Sequence, residues 1–229
     1  MSSFEWLNRP EFGVTVTVAA YVTARRLHLR WSRLHPLFVT AGALILFLIV
    51  TGIPYEAYKA GGDVIYFFLG PGTVALGVPL YKHATRIRQS LVPVLAGITV
   101  GTVASILFSA LLVWMLGGTR ELLLSILPKS ASTPIAIEVV RTLGGTPELG
   151  AVITSLTGLL GSMIGPEFLR LCGVRSDVAI GTAIGTASHG IGTARLVRES
   201  ELQASMSSLA MGIAGILTSL LLGTLSGWI

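Results

Sequence analysis

Charged residues are scarce in this sequence: Asp, Glu, Lys and Arg together make up 12% of its 229 residues, against about 25% in a soluble domain. Hydrophobic residues reach 52%, and the mean hydropathy is +0.78. So little charge excludes an ordinary soluble domain, and the composition predicts a polytopic protein of the lipid bilayer. The formal net charge of +5 is expected in basic loops, so no nucleic-acid partner is predicted.

Cysteine and histidine are equally scarce, which limits the chemistry that the chain supports. Cys172 is the single cysteine, so an intramolecular disulfide is excluded. Four histidines stand far apart, without the spacing of a metal site, and no metal or other cofactor is predicted. Ser188 and His189 are adjacent, and adjacent helical residues do not face each other, so the pair does not indicate a hydrolase. We therefore predict that the protein is not an enzyme.

Long apolar segments are plentiful, and a membrane-spanning helix needs roughly 20 such residues. The N-terminal MSSFEWLNRPEF lacks the basic region and cleavage site of a removed signal peptide, so the segment that follows is predicted to be a span. Segment 121–142 is apolar but interrupted by Pro128 and Pro134. It either crosses with a break or is re-entrant, and we favour the re-entrant or strongly broken form. The seven clear candidates are 12–27, 36–53, 63–81, 91–116, 147–169, 177–195 and 203–227.

The distribution of basic residues predicts an orientation. The first loop carries four arginines between 25 and 33, and the third carries three basic residues between 82 and 88. Short loops rich in Lys and Arg stay on the cytoplasmic side. The N-terminus is therefore predicted outside a bacterial cytoplasmic (inner) membrane that the chain crosses several times.

The two halves of the chain, roughly 12–118 and 119–229, echo each other weakly within what we predict to be one domain. Each has a proline before and after a hydroxyl residue, in 67–83 and in 126–142, ahead of a glycine-rich span. Paired Gly/Pro-interrupted segments point to a transporter with inverted repeats, although these residues are common enough in membrane helices for a chance match. The predicted hinge or unwound positions are Gly70, Pro71, Gly72, Pro79, Pro128, Pro134, Gly185, Gly190 and Gly192.

Hydroxyl residues and a lysine precede Pro134, where a half-helix is predicted to begin. Proline suits the first turn of a helix and serine or threonine its N-cap, and helix N-termini attract carboxylates. Thr73 with Gly72 provides a similar arrangement in the first half. We favour a small-anion site over plain helix capping. Its predicted contacts are Lys129, Ser130, Ser132 and Thr133, with Thr73 from the other half.

Residues 185–195 read GTASHGIGTAR, a run of small residues around one histidine inside a predicted span. Ionisable residues inside a membrane are usually functional, and an unperturbed imidazole has a pKa of about 6.5, so we predict that His189 has a role in substrate binding or proton coupling. A structural histidine bonded to a carbonyl is the alternative. Ser188, Thr186 and Thr193 add hydroxyl groups for an anion. The glycines indicate either an unwound hinge or close helix packing.

Glu138 follows TPIAI in the interrupted segment. A carboxylate inside a membrane is costly unless it is paired or titrates. Glu138 is therefore either a proton-coupling residue, with Lys129 or His189 as partner, or a solvated residue at the end of its segment.

Four stretches, in their order and spacing, resemble the LrgB/CidB family of bacterial membrane proteins: LGPGTVALGVPLYKH, LPKSASTPIAIEV, GTASHGIGTAR and SLAMG. The resemblance covers nearly the whole chain. Gly72 stands where alanine is frequent in the family and Ser132 where threonine is frequent, and both residues stay small or hydroxylated.

The resemblance, with the segments above, predicts an all-α membrane protein of about seven to eight transmembrane helices, with an inverted repeat and an elevator-like transporter architecture. It implies a carrier of small monocarboxylates such as pyruvate, glycolate or glycerate, with proton coupling. The alternative is a holin/antiholin-like pore or regulatory subunit that modulates murein hydrolase activity and lysis. The family also implies a small LrgA/CidA-like membrane partner, and the small-residue spans indicate a homo-oligomer.

Overall fold

The computed structural model describes residues 7, 9–31, 36–68, 71, 74–75 and 77–225, and the regular secondary structure of these ranges is helical throughout. The chain divides into two compact units, Met1–Ala75 and Leu76–Ile229. Within the described ranges, three helices of the second unit are long and apolar enough to cross a membrane. They match the predicted spans 91–116, 147–169 and 203–227 closely.

In the first unit the structure describes the helices α1 (Pro10–Arg30), α2 (Pro36–Thr51) and α3 (Tyr55–Phe67). α1 and α3 cross at Gly13 and Gly61, where a Cβ on Gly61 would lie 2.5 Å from the Cα of Gly13. Close approach of two backbones is what paired glycines permit in membrane helices. The hydroxyls of Thr17 and Tyr58 lie 2.9 Å apart beside this crossing and add a polar contact.

The second unit contains the remaining helices, three of which are the long apolar ones. Each of these three is 25 residues in length, and they are Leu91–Met115, Pro147–Leu171 and Glu201–Leu225. In chain order the helices are α4 (Gly77–Lys82), α5 (Ala84–Gln89), α6 (Leu91–Met115), α7 (Arg120–Ile126), α8 (Thr133–Leu143), α9 (Pro147–Leu171), α10 (Asp177–Leu196) and α11 (Glu201–Leu225).

Helices α7 and α8 form a first hairpin that enters and leaves on the same side. The hydroxyl of Thr146, just after α8, donates to the carboxylate of Glu121, in the first turn of α7. The backbone N–H of Thr146 also donates to Ser125 Oγ at 3.0 Å. The interrupted segment 121–142 is therefore broken, as predicted, and it doubles back, which is the interpretation that we favoured.

Helix α10 is a second hairpin, although its 20 residues would reach about 30 Å as a continuous helix. Asp177, at its start, accepts hydrogen bonds from Ser200 (3.2 Å) and Gln203 (2.7 Å), both beyond its end. The reversal occurs at His189, whose φ of 41° and ψ of −140° are not helical. Residues 177–188 are hereafter the first arm and 190–196 the second arm. The prediction of one crossing helix over 177–195 is therefore wrong.

The two hairpins enter the second unit from opposite ends. The first follows the C-terminal end of α6, α9 then runs the length of the unit, and the second hairpin follows the C-terminal end of α9. Each of the segments 91–143 and 147–196 thus consists of a long helix followed by a hairpin. The repeat predicted from the sequence, which pairs 126–142 with 67–83, includes positions outside the described residues and stays a prediction.

Segment 63–81, predicted as one span, contains the end of α3 and most of α4. Three residues predicted there as hinge or binding positions, Gly70, Gly72 and Thr73, lie outside the described residues. Pro71 is described and exposed, and Pro79 lies within α4. The count of seven to eight spans, the elevator-like architecture and the outside N-terminus stay predictions.

Candidate functional site

The turn of the first hairpin places a lysine beside two hydroxyl groups. Lys129 Nζ donates to Ser105 Oγ at 3.0 Å, and Ser105 Oγ lies 2.8 Å from Ser130 Oγ. Ser105 stands near the middle of α6, so the turn reaches the middle of a long apolar helix. Among the described residues, no carboxylate forms an ion pair with Lys129. The three residues form a cationic, hydroxyl-lined cluster, the Lys129 cluster.

The helix that follows this turn begins close to its predicted position. Ser132 has the extended backbone of an N-cap residue, and α8 starts at Thr133 with Pro134 in its first turn. The Ser132 side chain makes no capping hydrogen bond. Pro128, on the other side of the turn, is fully buried. The backbone N–H groups at the start of α8 therefore follow directly after the Lys129 cluster.

One cavity lies beside each hairpin. The smaller has a volume of about 460 Å³, and the larger, of about 730 Å³, leads to the Lys129 cluster. It lies between α6 and the first arm of the second hairpin. Its wall begins with Ser90 and Ser176, at the starts of these two elements, and extends to Ser105 and Ala187. Because Ser105 is the partner of Lys129, the cavity reaches the cluster at this serine. Small side chains line most of it: Gly97, Gly101, Ala179, Thr182, Ala183 and Thr186.

The turn of the second hairpin is packed against α9. His189 is 2% exposed, and its Nε2 lies 3.0 Å from the carbonyl oxygen of Thr154. A Cβ on Gly158 would lie 2.6 Å from the same nitrogen. A Cβ on Gly161 would overlap Ser188 Oγ. The imidazole and the Ser188 hydroxyl therefore face α9, and neither residue lines the cavity.

The carbonyl oxygen of His189 also accepts a hydrogen bond inside the protein. Thr193 Oγ1 donates to it at 2.9 Å, and the same hydroxyl lies 2.7 Å from Ser207 Oγ on α11. Since the Thr193 proton is already donated, the Ser207 hydroxyl is the donor in that pair. Thr193 thereby ties the second arm to both the reversal and α11.

Unwound backbone in this hairpin is found at the histidine and not at the predicted glycines. The positive φ of 41° belongs to His189, a conformation that is strained for any residue with a side chain. Gly185 lies in the first arm against the backbone of Ser207. A Cβ on Gly192 would lie 2.7 Å from both Ile184 Cγ2 and Ser188 Cβ, so Gly192 lets the two arms approach. These glycines serve close packing, the alternative that the sequence left open.

Comparison with known proteins identifies the family of this chain. The model of the LrgB-like family matches residues 17–228. The chain belongs to the LrgB-like family. It is 37% identical over 218 residues to the uncharacterized protein YxaC of Bacillus subtilis (strain 168), covering 94% of each chain. It is 36% identical over 206 residues to the uncharacterized protein YwbG of the same organism, covering 89% of this chain and 91% of YwbG. No solved structure matches.

Glu138 of this LrgB-like membrane protein does not reach the Lys129 cluster. Its side chain is 67% exposed on α8 and accepts a hydrogen bond from Arg141 Nη1 at 2.6 Å. Residues three apart on a helix are neighbours on its surface, which explains the pairing. The predicted partnership of Glu138 with Lys129 or His189 is therefore not what the structure shows. The smaller cavity, between α8 and α11, is the one that Glu138 lines.

The sequence interpretation missed the role of Arg195, the last residue of GTASHGIGTAR. Its Nη1 donates to the carbonyl oxygens of Ser162 and of Met163, the latter at 3.0 Å. Pro166 lies inside α9 four residues after Ser162, and proline has no N–H to donate to that carbonyl. Arg195 therefore supplies the hydrogen bond that the proline removes. A proline within an apolar helix was the available signal, but its partner was not identifiable from the sequence.

Two carboxylates also accept hydrogen bonds from Arg195, at the base of the second hairpin, where its second arm ends. Arg195 donates to Glu167 of α9 and to Glu199 beyond the second arm, the latter at 3.0 Å. Arg170 also donates to Glu199. Burial raises the pKa of Glu199, but the hydrogen bonds and charges of Arg170 and Arg195 outweigh it and hold that pKa below its ordinary value. The base of the hairpin is thus held by an ion-pair network.

Proposed function

We propose that this LrgB-like protein carries small monocarboxylates, of the pyruvate, glycolate and glycerate class, across the bacterial cytoplasmic membrane. The observation that carries the proposal is the Lys129 cluster beside the cavity. Lys129 is held by hydroxyl groups at the level of the middle of α6, and no carboxylate among the described residues balances its charge.

An uncompensated cation away from water is costly, and a bound anion reduces that cost. A substrate carboxylate at this position would accept from Lys129 Nζ and from the hydroxyls of Ser105 and Ser130. The N-terminus of α8 follows within a few residues and adds a partial positive charge. The proposed binding group is therefore Lys129 with its hydroxyl partners, and Ser132 and Thr133 contribute through the start of α8.

The two hairpins support alternating access as the transport mechanism. They enter from opposite ends, and their turns lie beside the middle of α6 and of α9. Transporters with inverted repeats bind substrate at such a level and expose it to one side at a time. In this proposal the second hairpin moves against α9, and His189 acts at the pivot and does not touch the substrate. An elevator-like motion, proton coupling and a homo-oligomer belong to the proposal.

Uptake of labelled pyruvate and glycolate into proteoliposomes tests the proposal, with and without an imposed pH gradient and a small LrgA-like partner. We expect saturable uptake that Lys129→Ala weakens roughly tenfold to a hundredfold, because a hydrogen bond to a charged group is worth about 1.5–3 kcal/mol. Lys59→Ala is the matched control, since Lys59 is half-exposed and faces Glu56 in the first unit.

The same measurement distinguishes the alternative functions. Unsaturable leakage of unrelated solutes, unchanged by Lys129→Ala, would favour a holin-like pore. An absence of carboxylate flux, both with and without the partner, would overturn the carrier proposal and leave the regulatory role. Glu138→Gln and His189→Ala, measured with and without the pH gradient, test the predicted proton coupling.

A further inference from the structure

We infer that Gly101 and Thr186 form a size filter on the path to Lys129, which admits unbranched short carboxylates and rejects branched ones. This inference rests on the proposed function and names the residues that limit its substrate class. A Cβ built on Gly101 would lie 3.2 Å from Thr186 Cγ2, so the space between these residues is close to its minimum.

The position of this contact along the cavity gives it that role. Gly97, Gly101 and Ser105 line the cavity from α6 at intervals of one helical turn. Ser105 is the partner of Lys129, and Gly101 stands one turn nearer to the start of α6, where Ser90 lies. In this inference a molecule enters beside Ser90 and passes Gly101 before it reaches the lysine.

In this inference the contact between Gly101 and Thr186 selects solutes by their volume and not by their charge. Thr186 Oγ1 donates to the carbonyl oxygen of Thr182 at 2.8 Å within its own helix. The hydroxyl is thereby occupied, and the methyl group is what Thr186 presents to Gly101. A Cβ at residue 101 would press against this methyl, and both residues line the cavity, so a solute passes beside their contact and not between them. Gly97, one turn earlier, has no atom within 4 Å of the position of its absent Cβ, so the cavity is wider there.

Three variants test the filter in proteoliposomes with labelled pyruvate and labelled 3-methyl-2-oxobutanoate, a branched analogue. We expect Thr186→Ser, which removes the methyl, to raise the ratio of branched to unbranched uptake roughly tenfold, since one methyl in a fitted pocket changes discrimination by about that factor or more. Gly101→Ala is expected to lower uptake of both acids, the branched one more. Gly97→Ala is the matched control and should leave the ratio unchanged. An unchanged ratio in both Thr186→Ser and Gly101→Ala would overturn the inference.

A second readout does not depend on transport. In a Cys172→Ser, Ser105→Cys background, the new thiol lies beyond the filter, and its reaction with a small and with a bulky methanethiosulfonate reagent is timed in detergent. We expect Gly101→Ala to slow the bulky reagent at least several-fold more than the small one, and Gly97→Ala to slow neither preferentially.

Failure of the filter and failure of the carrier are distinguishable in this pair of experiments. If the wild-type protein takes up no carboxylate, the proposed function fails, while the labelling rates still decide whether Gly101 and Thr186 limit access. Equal slowing by Gly97→Ala and Gly101→Ala would overturn the filter even where uptake is robust. Monodisperse elution and an unchanged melting temperature, with Thr186→Ser as the mildest change, show that a variant is folded.

Discussion

The two hairpins reverse direction by different means. The first uses a turn of several residues between α7 and α8, and this turn places Lys129 and Ser130 beside a cavity. The second reverses at His189, where both the imidazole and the carbonyl oxygen are hydrogen-bonded inside the protein. The polar groups of the first turn lie where a ligand could contact them, whereas those of the second turn form hydrogen bonds to neighbouring parts of the protein. In the proposed function the two hairpins therefore have different roles: the first binds the substrate and the second acts as the pivot.

The largest expected effect comes from disturbing the packed turn. Gly161→Ala places a methyl on Ser188 Oγ, and overpacking of this kind costs about 2 kcal/mol. Ser132→Ala at the first turn is the matched change, because Ser132 makes no capping hydrogen bond, and we expect less than about 0.5 kcal/mol. Thermal unfolding in detergent measures both. Equal melting temperatures for the two variants would contradict the difference between the turns.

A pair of substitutions at His189 sharpens the comparison further. His189→Ala keeps a side chain at φ 41° and loses the hydrogen bond to Thr154, whereas His189→Gly loses the bond but relieves the strain. We expect His189→Gly to be more stable than His189→Ala by about 1 to 2 kcal/mol in the same unfolding measurement. If the alanine variant is at least as stable, the backbone at this turn is not strained as described.

The arginine contact at the base of the second hairpin is expected to depend on Pro166. In Pro166→Ala the new N–H donates a hydrogen bond to the carbonyl of Ser162 within the helix, so the hydrogen bond from Arg195 to that carbonyl contributes less to stability. Arg195→Ala should then cost about 1 kcal/mol less than it does in the wild type. A double-mutant cycle on unfolding free energies measures this coupling. Additive effects would show that Arg195 acts through Met163, Glu167 and Glu199 and not through the Ser162 carbonyl.

The smallest expected effect is a pH dependence from Glu199. Because its folded pKa is lowered, its stabilisation is present above the ordinary carboxyl pKa and is lost as the pH falls through the folded value. The melting temperature should therefore drop on acidification from neutral to roughly pH 4, and less in Glu199→Gln. Identical pH profiles for the two proteins would place the acid sensitivity in other groups.

Local patterns were enough to predict the broken segment and the proximity of Lys129 and Ser130. Pro128 and Pro134 have no backbone N–H and disfavour a helix that continues through them, so the break between α7 and α8 was visible in the sequence. Lys129 and Ser130 are neighbours in the chain, and their proximity followed directly. Ser105 was missed, because nothing local marks one serine of an apolar helix as the partner of a lysine 24 residues away.

The second hairpin shows the opposite case. A run of small residues around His189 is compatible with a straight helix, a hinge or a reversal, and we predicted a span. The reversal depends on contacts between distant residues, such as Asp177 with Gln203 and Arg195 with the carbonyl that Pro166 leaves free. Glycines were predicted as the unwound positions, yet the surrounding helices hold the histidine in that conformation instead.

The sequence by itself determined the membrane class, the three long apolar helices, the broken segment and membership of the LrgB-like family, because composition, apolar length and proline act locally or in order along the chain. The tertiary structure alone decided that residues 177–196 double back, that the cavity reaches Ser105 beside Lys129, and that His189 faces α9 and Glu138 faces Arg141. These outcomes depend on which faces of the helices come into contact between residues that are tens of positions apart in the chain. The packing of whole helices selects among arrangements that are equally compatible with the local sequence pattern.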